Sequence, residues 1–196
     1  RGDSTGMPRI AVTNTTRDDV AYLAGLIEEA QEVLSIDSER VFVVGLSNGA
    51  FMAHFMACSR PDLVRGIASL AGQAPSDPEL CQPAQGGRVL QIHGTLDAII
   101  PFNGSFVFNS TPETVDTWVK NNGCDPEEFT AQDPQNYDYL VPGAETSKLV
   151  YSSCEAEQSV GLWTLTGSGH VPFLHPDFTP DVLSWLFDDA PSGGAE

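Results

Sequence analysis

The chain's 196 residues and 41% hydrophobic content suffice for one buried core, with no internal repeat and no apolar run long enough to cross a bilayer. Its 27 Asp and Glu against 9 Lys and Arg give a formal net charge of -18, which repels nucleic acid and anionic membrane surfaces and argues against either as a partner. Such acidity suits a salty or extracellular medium, where ions screen the self-repulsion.

In chain order, a short strand-like run at 9–13 precedes an amphipathic helix. Val20, Leu23, Ala24, Ile27, Ala30 and Leu34 recur there at helical spacing, after a capping-box-like start at Thr16 and Asp19. This helix is expected to cover one face of a sheet. Residues 40–44 are apolar and β-branched enough for a buried strand, and 50–57 carry the helix formers and bulk of a buried helix. Between them lies Gly45-Leu46-Ser47-Asn48-Gly49, a G-x-S-x-G pentapeptide in the strand-to-helix setting of a nucleophile elbow. Gly45 and Gly49 are expected to leave no side chain to clash where strand meets helix. The strained turn can then hold the Ser47 hydroxyl exposed at the carboxyl edge of the sheet.

A serine alkoxide needs a base, and the base needs an orienting carboxylate. After a strand at 67–71 and a Pro-rich loop over 73–87, the β-rich run 88–94 breaks into Thr95-Leu96-Asp97, where an α/β sheet presents loop residues. Asp97 is the candidate acid, whereas Asp116 falls in a predicted helix over 112–121 and is expected to be solvated. Residues 125–146 show little periodicity and read as a surface excursion, with Tyr137 and Tyr139 in a local packing cluster rather than in pocket walls. A last strand at 160–166 leads into Gly167-Ser168-Gly169-His170, a loop whose glycines let it carry an imidazole over the serine; His170 is the candidate base. His54, in the elbow helix, suits a core or capping role, and His93, at a strand end, suits packing or a bond to backbone. His175 shares the loop of His170 but precedes Pro176 and stands away from the glycines. A closing helix over 178–189 places Val182, Trp185 and Leu186 on one face, and 190–196 form a tail.

The αβ alternation predicts a doubly wound, mostly parallel α/β sheet in one domain over 1–189. Cys58, Cys81, Cys124 and Cys154 lack metal-ligand spacing and read as two disulfides, with three pairings open, in a secreted or extracytoplasmic protein. No metal cluster or phosphate-cradling glycine loop is present, so no cofactor is expected. Glycosylation sequons begin at Asn14, Asn103 and Asn109.

The stretches Gly45 to Ala50, Leu90 to Phe102, Asn122-Gly123-Cys124 and Gly167 to His170 resemble the secreted polyhydroxybutyrate depolymerase and feruloyl esterase group of α/β-hydrolases. The likeness runs from about Asp18 to Trp185. It implies the α/β-hydrolase fold, Ser47, Asp97 and His170 as the triad, the Asn48 backbone N–H as an oxyanion donor, and hydrolysis of a small or polymeric ester of hydroxyalkanoate or feruloyl type. It also implies the pairings Cys58–Cys81 and Cys124–Cys154, each worth about 3–4 kcal/mol on chain-entropy reasoning. Two features depart from the group. Val171-Pro172-Phe173 follows the histidine where relatives often carry tryptophan and proline, and the early strands with the His-Gly-type oxyanion loop are missing before residue 40. The chain therefore reads as lacking its amino-terminal part, with an apolar sheet edge exposed and weak activity when isolated. The missing strands are expected from an amino-terminal fragment of the same protein or from a swapped second copy. The other readings are a noncatalytic binding module, an acyltransferase and a serine peptidase of the same fold.

Overall fold

Asp18 starts the first helix: its carboxylate accepts from the Ala21 N–H at 3.0 Å, satisfying a first-turn donor that has no partner within the helix. The computed structural model describes residues 18–81, 87–156 and 158–187. The 9–13 run, the Thr16 cap, the Asn14 sequon and the 190–196 tail lie outside them. Within them the cap is Asp18, because a side-chain oxygen two or three residues ahead of the free N–H groups reaches them and Asp18 holds that place.

Helix α1 (Asp19–Val33) leads to strand β1 (Phe42–Leu46), helix α2 (Asn48–Ser59), β2 (Gly66–Leu70) and β3 (Arg88–Gly94). Helix α3 (Thr111–Asn121), β4 (Thr130–Gln135), β5 (Thr146–Tyr151), β6 (Ser159–Leu165) and α4 (Phe178–Phe187) follow. The strands form one sheet in the order β1-β2-β3-β6-β5-β4. Neighbours β1, β2, β3 and β6 run parallel, while β5 and β4 are antiparallel additions at one edge. The region read as an irregular excursion thus contains β4 and reaches β5.

Alternate strand residues feed two cores, as the pleat requires. Ile67, Val89 and Val160 face α1, α2 and α3, packing with Met56, Val115 and Trp118. Ala68, Leu90 and Trp163 point the other way, against Phe178, Val182 and Trp185 of α4. This is the doubly wound arrangement, with helices on both faces of a sheet whose inner strands are buried. Tyr137 belongs to the second core, its ring 5.3 Å from that of Trp163, while its hydroxyl donates to Asp181 and accepts from Lys148 Nζ at 2.6 Å. Tyr139 departs from the packing expectation: it is exposed and lies against the His175 ring.

Disulfides join Cys58 to Cys81 and Cys124 to Cys154. The first ties the end of α2 to the loop before β3, and the second ties the end of α3 to the loop after β5. At the opposite edge from β4, β1 has no strand beyond it among the described residues, and Val44 and Leu46 there are exposed. A cavity of about 340 Å³ beside that edge is lined by Ile27, Ile36, Phe42, Val44, Leu183 and Phe187.

Candidate active site

Ser47 stands at the junction of β1 and α2 with φ 55° and ψ -117°, a conformation costly for a residue with a Cβ and one that aims the hydroxyl out of the turn. Its N–H donates to the Leu70 carbonyl at 2.9 Å and so anchors the turn to the carboxyl end of β2. Gly45 makes the turn possible, since a Cβ there would stand 2.1 Å from the Gly49 carbonyl oxygen. The expectation for Gly49 is corrected: a Cβ added at that position meets nothing within 4 Å among the described residues, because its missing side chain points away from the junction.

His170 Nε2 lies 2.8 Å from Ser47 Oγ, and His170 Nδ1 lies 2.7 Å from Asp97 Oδ2. Asp97 thereby fixes the tautomer: Nδ1 carries the proton, and Nε2 is the bare nitrogen that accepts from the serine hydroxyl. The other oxygen, Asp97 Oδ1, accepts from the Ile99 and Ile100 N–H groups, both at 2.8 Å. These bonds, with the His170 contact, hold the carboxylate in one orientation. The Asp97 side chain is fully buried, whereas the His170 side chain retains 11% exposure, so the imidazole is reachable and the carboxylate is shielded.

The loops come together because Gly94 ends β3 against the backbone of the histidine loop. A Cβ there would stand 2.4 Å from the Ser168 carbonyl oxygen. The Leu96 N–H donates to that same carbonyl at 2.9 Å, which binds the Asp97 loop to the His170 loop. Beyond His170 the chain is pinned by Asp138, whose buried carboxylate accepts from the Phe173 N–H at 3.1 Å, while the Tyr139 N–H donates to the Phe173 carbonyl at 2.9 Å. Neither Gly94 nor Asp138 stands out in the sequence as a site residue; the only local signal for Gly94 is a glycine ending a strand just before a candidate acid.

Asn48 opens α2, so its backbone N–H is one of the first-turn donors with no acceptor inside the helix, at the positive end of the helix dipole. It lies next in the chain to Ser47, where an oxyanion would form. The remaining histidines stand elsewhere. His175 Nδ1 faces the Asp177 carboxylate at 3.2 Å, His54 is fully buried under α3, and His93 Nε2 donates to the Ile100 carbonyl at 2.8 Å. Asp116 is exposed on α3. Asn109, the third sequon, turns its amide toward the carbonyls of Ala74 and Pro75. Among the described residues, no group of three or more His, Cys, Asp or Glu is placed to hold a metal ion.

A family model described as phospholipase/carboxylesterase matches residues 10–123. Feruloyl esterase B of Piromyces equi is 27% identical over 168 residues, which cover 80% of this chain and 29% of that protein. Feruloyl esterase D of Neurospora crassa is 27% identical over 164 residues, 81% of this chain and 49% of its own. Feruloyl esterase C of Emericella nidulans is 30% identical over 120 residues, 59% of this chain and 40% of its own. The chain thus spans less than half the length of these curated relatives. Among solved structures, the acetyl xylan esterase from Aspergillus awamori superposes with a TM-score of 0.64 at 17% identity, covering 92% of this chain and 71% of that one, which is a likeness of fold.

Proposed function

Given that the chain belongs to the phospholipase/carboxylesterase family of α/β-hydrolases, we propose that it is the catalytic part of a serine carboxylic-ester hydrolase. The observation that carries this reading is the hydrogen-bonded line Ser47–His170–Asp97, with spacings of 2.8 and 2.7 Å. In the proposed reaction His170 Nε2 takes the Ser47 proton as Oγ attacks the ester carbonyl carbon. The carbonyl electron pair moves onto oxygen, where the Asn48 N–H stabilises it. Collapse expels the alcohol, which takes the proton from the imidazolium and leaves an acyl-serine. Water, deprotonated by the same imidazole, releases the acid and restores the serine.

Leu96 and Ile99 on the acid loop and Val171 and Phe173 on the base loop are exposed, and they offer apolar surface for the organic parts of an ester. The substrate class proposed is a feruloyl or hydroxyalkanoate ester, the former supported by the names of the relatives. The two disulfides support an extracytoplasmic location, where thiols are oxidised.

The test is hydrolysis of p-nitrophenyl acetate, p-nitrophenyl butyrate and methyl ferulate beside Ser47→Ala. Removing the nucleophile is expected to lower kcat by about four to six orders of magnitude. Turnover that survives the substitution would sink the proposal.

A further inference from the structure

A line of fully buried side chains runs from α3 into the back of Asp97. Trp118 Nε1–H donates to His54 Nδ1 at 3.0 Å. An indole nitrogen can only donate, so His54 Nδ1 is the bare nitrogen and its proton sits on Nε2. That Nε2–H meets Gln91 Oε1 at 3.1 Å. With its oxygen engaged, Gln91 directs its amide protons at the Gly72 carbonyl, 2.8 Å away, and at His93 Nδ1, 3.4 Å away. His93 Nδ1 is therefore an acceptor and the His93 proton lies on Nε2. There it donates to the Ile100 carbonyl at 2.8 Å and stands 3.2 Å from Asp97 Oδ2, the oxygen that also accepts from His170.

We infer that His93 is a positioning residue for the candidate acid: Trp118, His54 and Gln91 set its tautomer, and its Nε2–H holds the 97–100 turn while sharing Asp97 Oδ2 with His170. The inference rests on the reading of Ser47, His170 and Asp97 as the reacting groups. Burial keeps both inner imidazoles neutral, pushing His54 down to about 4 and lowering His93 as well, so neither brings a cation beside the acid. The titratable groups that face His93 are Asp97 on its own turn, His170 from the loop after β6, and His54 of α2 beyond Gln91; the Phe102 ring closes the remaining side edge-on.

A second N–H beside Oδ2 draws charge from the carboxylate that would otherwise stabilise the protonated form of His170. Removing it should favour that protonated, inactive base. His93→Leu deletes the donor, whereas His93→Gln places an amide N–H where Nε2 stood. In the His93→Leu variant the acid limb of the kcat/KM profile with p-nitrophenyl acetate is expected to move about half a pH unit upward, with a larger loss in kcat than in KM. His93→Gln is expected to return the limb toward the wild type. A packing role alone would lower the melting temperature and leave the limb in place, so a folded His93→Leu protein with an unmoved limb overturns the inference.

Histidine-selective 15N labelling of the unsubstituted chain supplies a test that needs neither variant nor turnover. His93 is expected as the neutral Nε2–H tautomer at pH 7, and an Nδ1–H or doubly protonated ring overturns the inference. The titration of His170 in the same spectra reads the effect of the substitutions even in a chain without esterase activity. Failure of the esterase reading is therefore distinguishable from failure of the positioning role.

Discussion

Ser47 occupies a backbone region that residues with a Cβ avoid, and the space for that strain is made at Gly45. The G-x-S-x-G pattern treats its two glycines alike, but the turn does not. Gly45→Ala would drive a methyl group into the Gly49 carbonyl, a backbone atom that cannot step aside. This substitution is expected to destabilise the fold by about 1–3 kcal/mol and to abolish the proposed ester hydrolysis. Gly49→Ala sits in the first turn of α2 with open space around its new Cβ, and a gain of about 0.5–1 kcal/mol is expected from helix propensity. Urea midpoints of the two variants measured side by side decide the point; equal losses would contradict the asymmetry. The sequence singles out Ser47, Asp97 and His170 because each follows a strand at the same end of a parallel sheet. It cannot single out the Ile99 and Ile100 N–H groups or Asp138, since backbone donors and a buried carboxylate brace carry no motif.

Strands β2, β3 and β6 are legible as apolar runs because burial on both faces demands them. Strand β4 is not. All six of its residues are exposed, it contains Pro134, and its register with β5 shifts between Gln132 and Gln135, so no period-2 alternation arises for a reader to find. The α3 boundary is set by Ser110 and Glu113, a capping box in which side chain and backbone bond reciprocally. Elements α2, α3 and β3 are joined by the buried His54, whose bonds to Trp118 and Gln91 require a neutral ring. Its folded value of about 4, set by burial, lies below the ordinary 6.5, so the unfolded chain binds the extra proton first as pH falls. Stability is thus fully present above about pH 6.5 and declines below it; about 2 kcal/mol from His54 alone is expected to be lost by pH 5. His93 acts in the same direction. Urea unfolding at pH 7, 6 and 5 checks this, and a stability flat across that range would refute it.

The net charge of -18 leaves the molecule with few cations to offset its carboxylates. Arg60 illustrates the shortage, since one guanidinium serves both Glu28 and Asp62 at 2.8 Å. Carboxylates spread over the surface at this density repel one another over about 10 Å at 0.1 M salt and over far less at molar salt. The melting temperature is therefore expected to rise from low to molar sodium chloride. A calorimetric scan showing no change, or a fall, would mean that the ion pairs matter more than the net repulsion.

Composition, periodicity and the strand-to-helix setting of Gly45–Gly49 determined the layered α/β architecture, since burial on both faces of a parallel sheet and on one stripe of each helix leaves a direct imprint on residue order. They also determined which serine, carboxylate and imidazole stand at strand ends. Only the tertiary structure decided that His170 stands within 3 Å of both Ser47 and Asp97, and that Trp118, His54, Gln91 and His93 connect behind Asp97. Ser47–His170, His170–Asp97, Trp118–His54 and His54–Gln91 each join residues tens of positions apart through distances of a few ångströms, and hydrogen-bond geometry of that kind is set by how the elements pack, not by the order of residues along the chain.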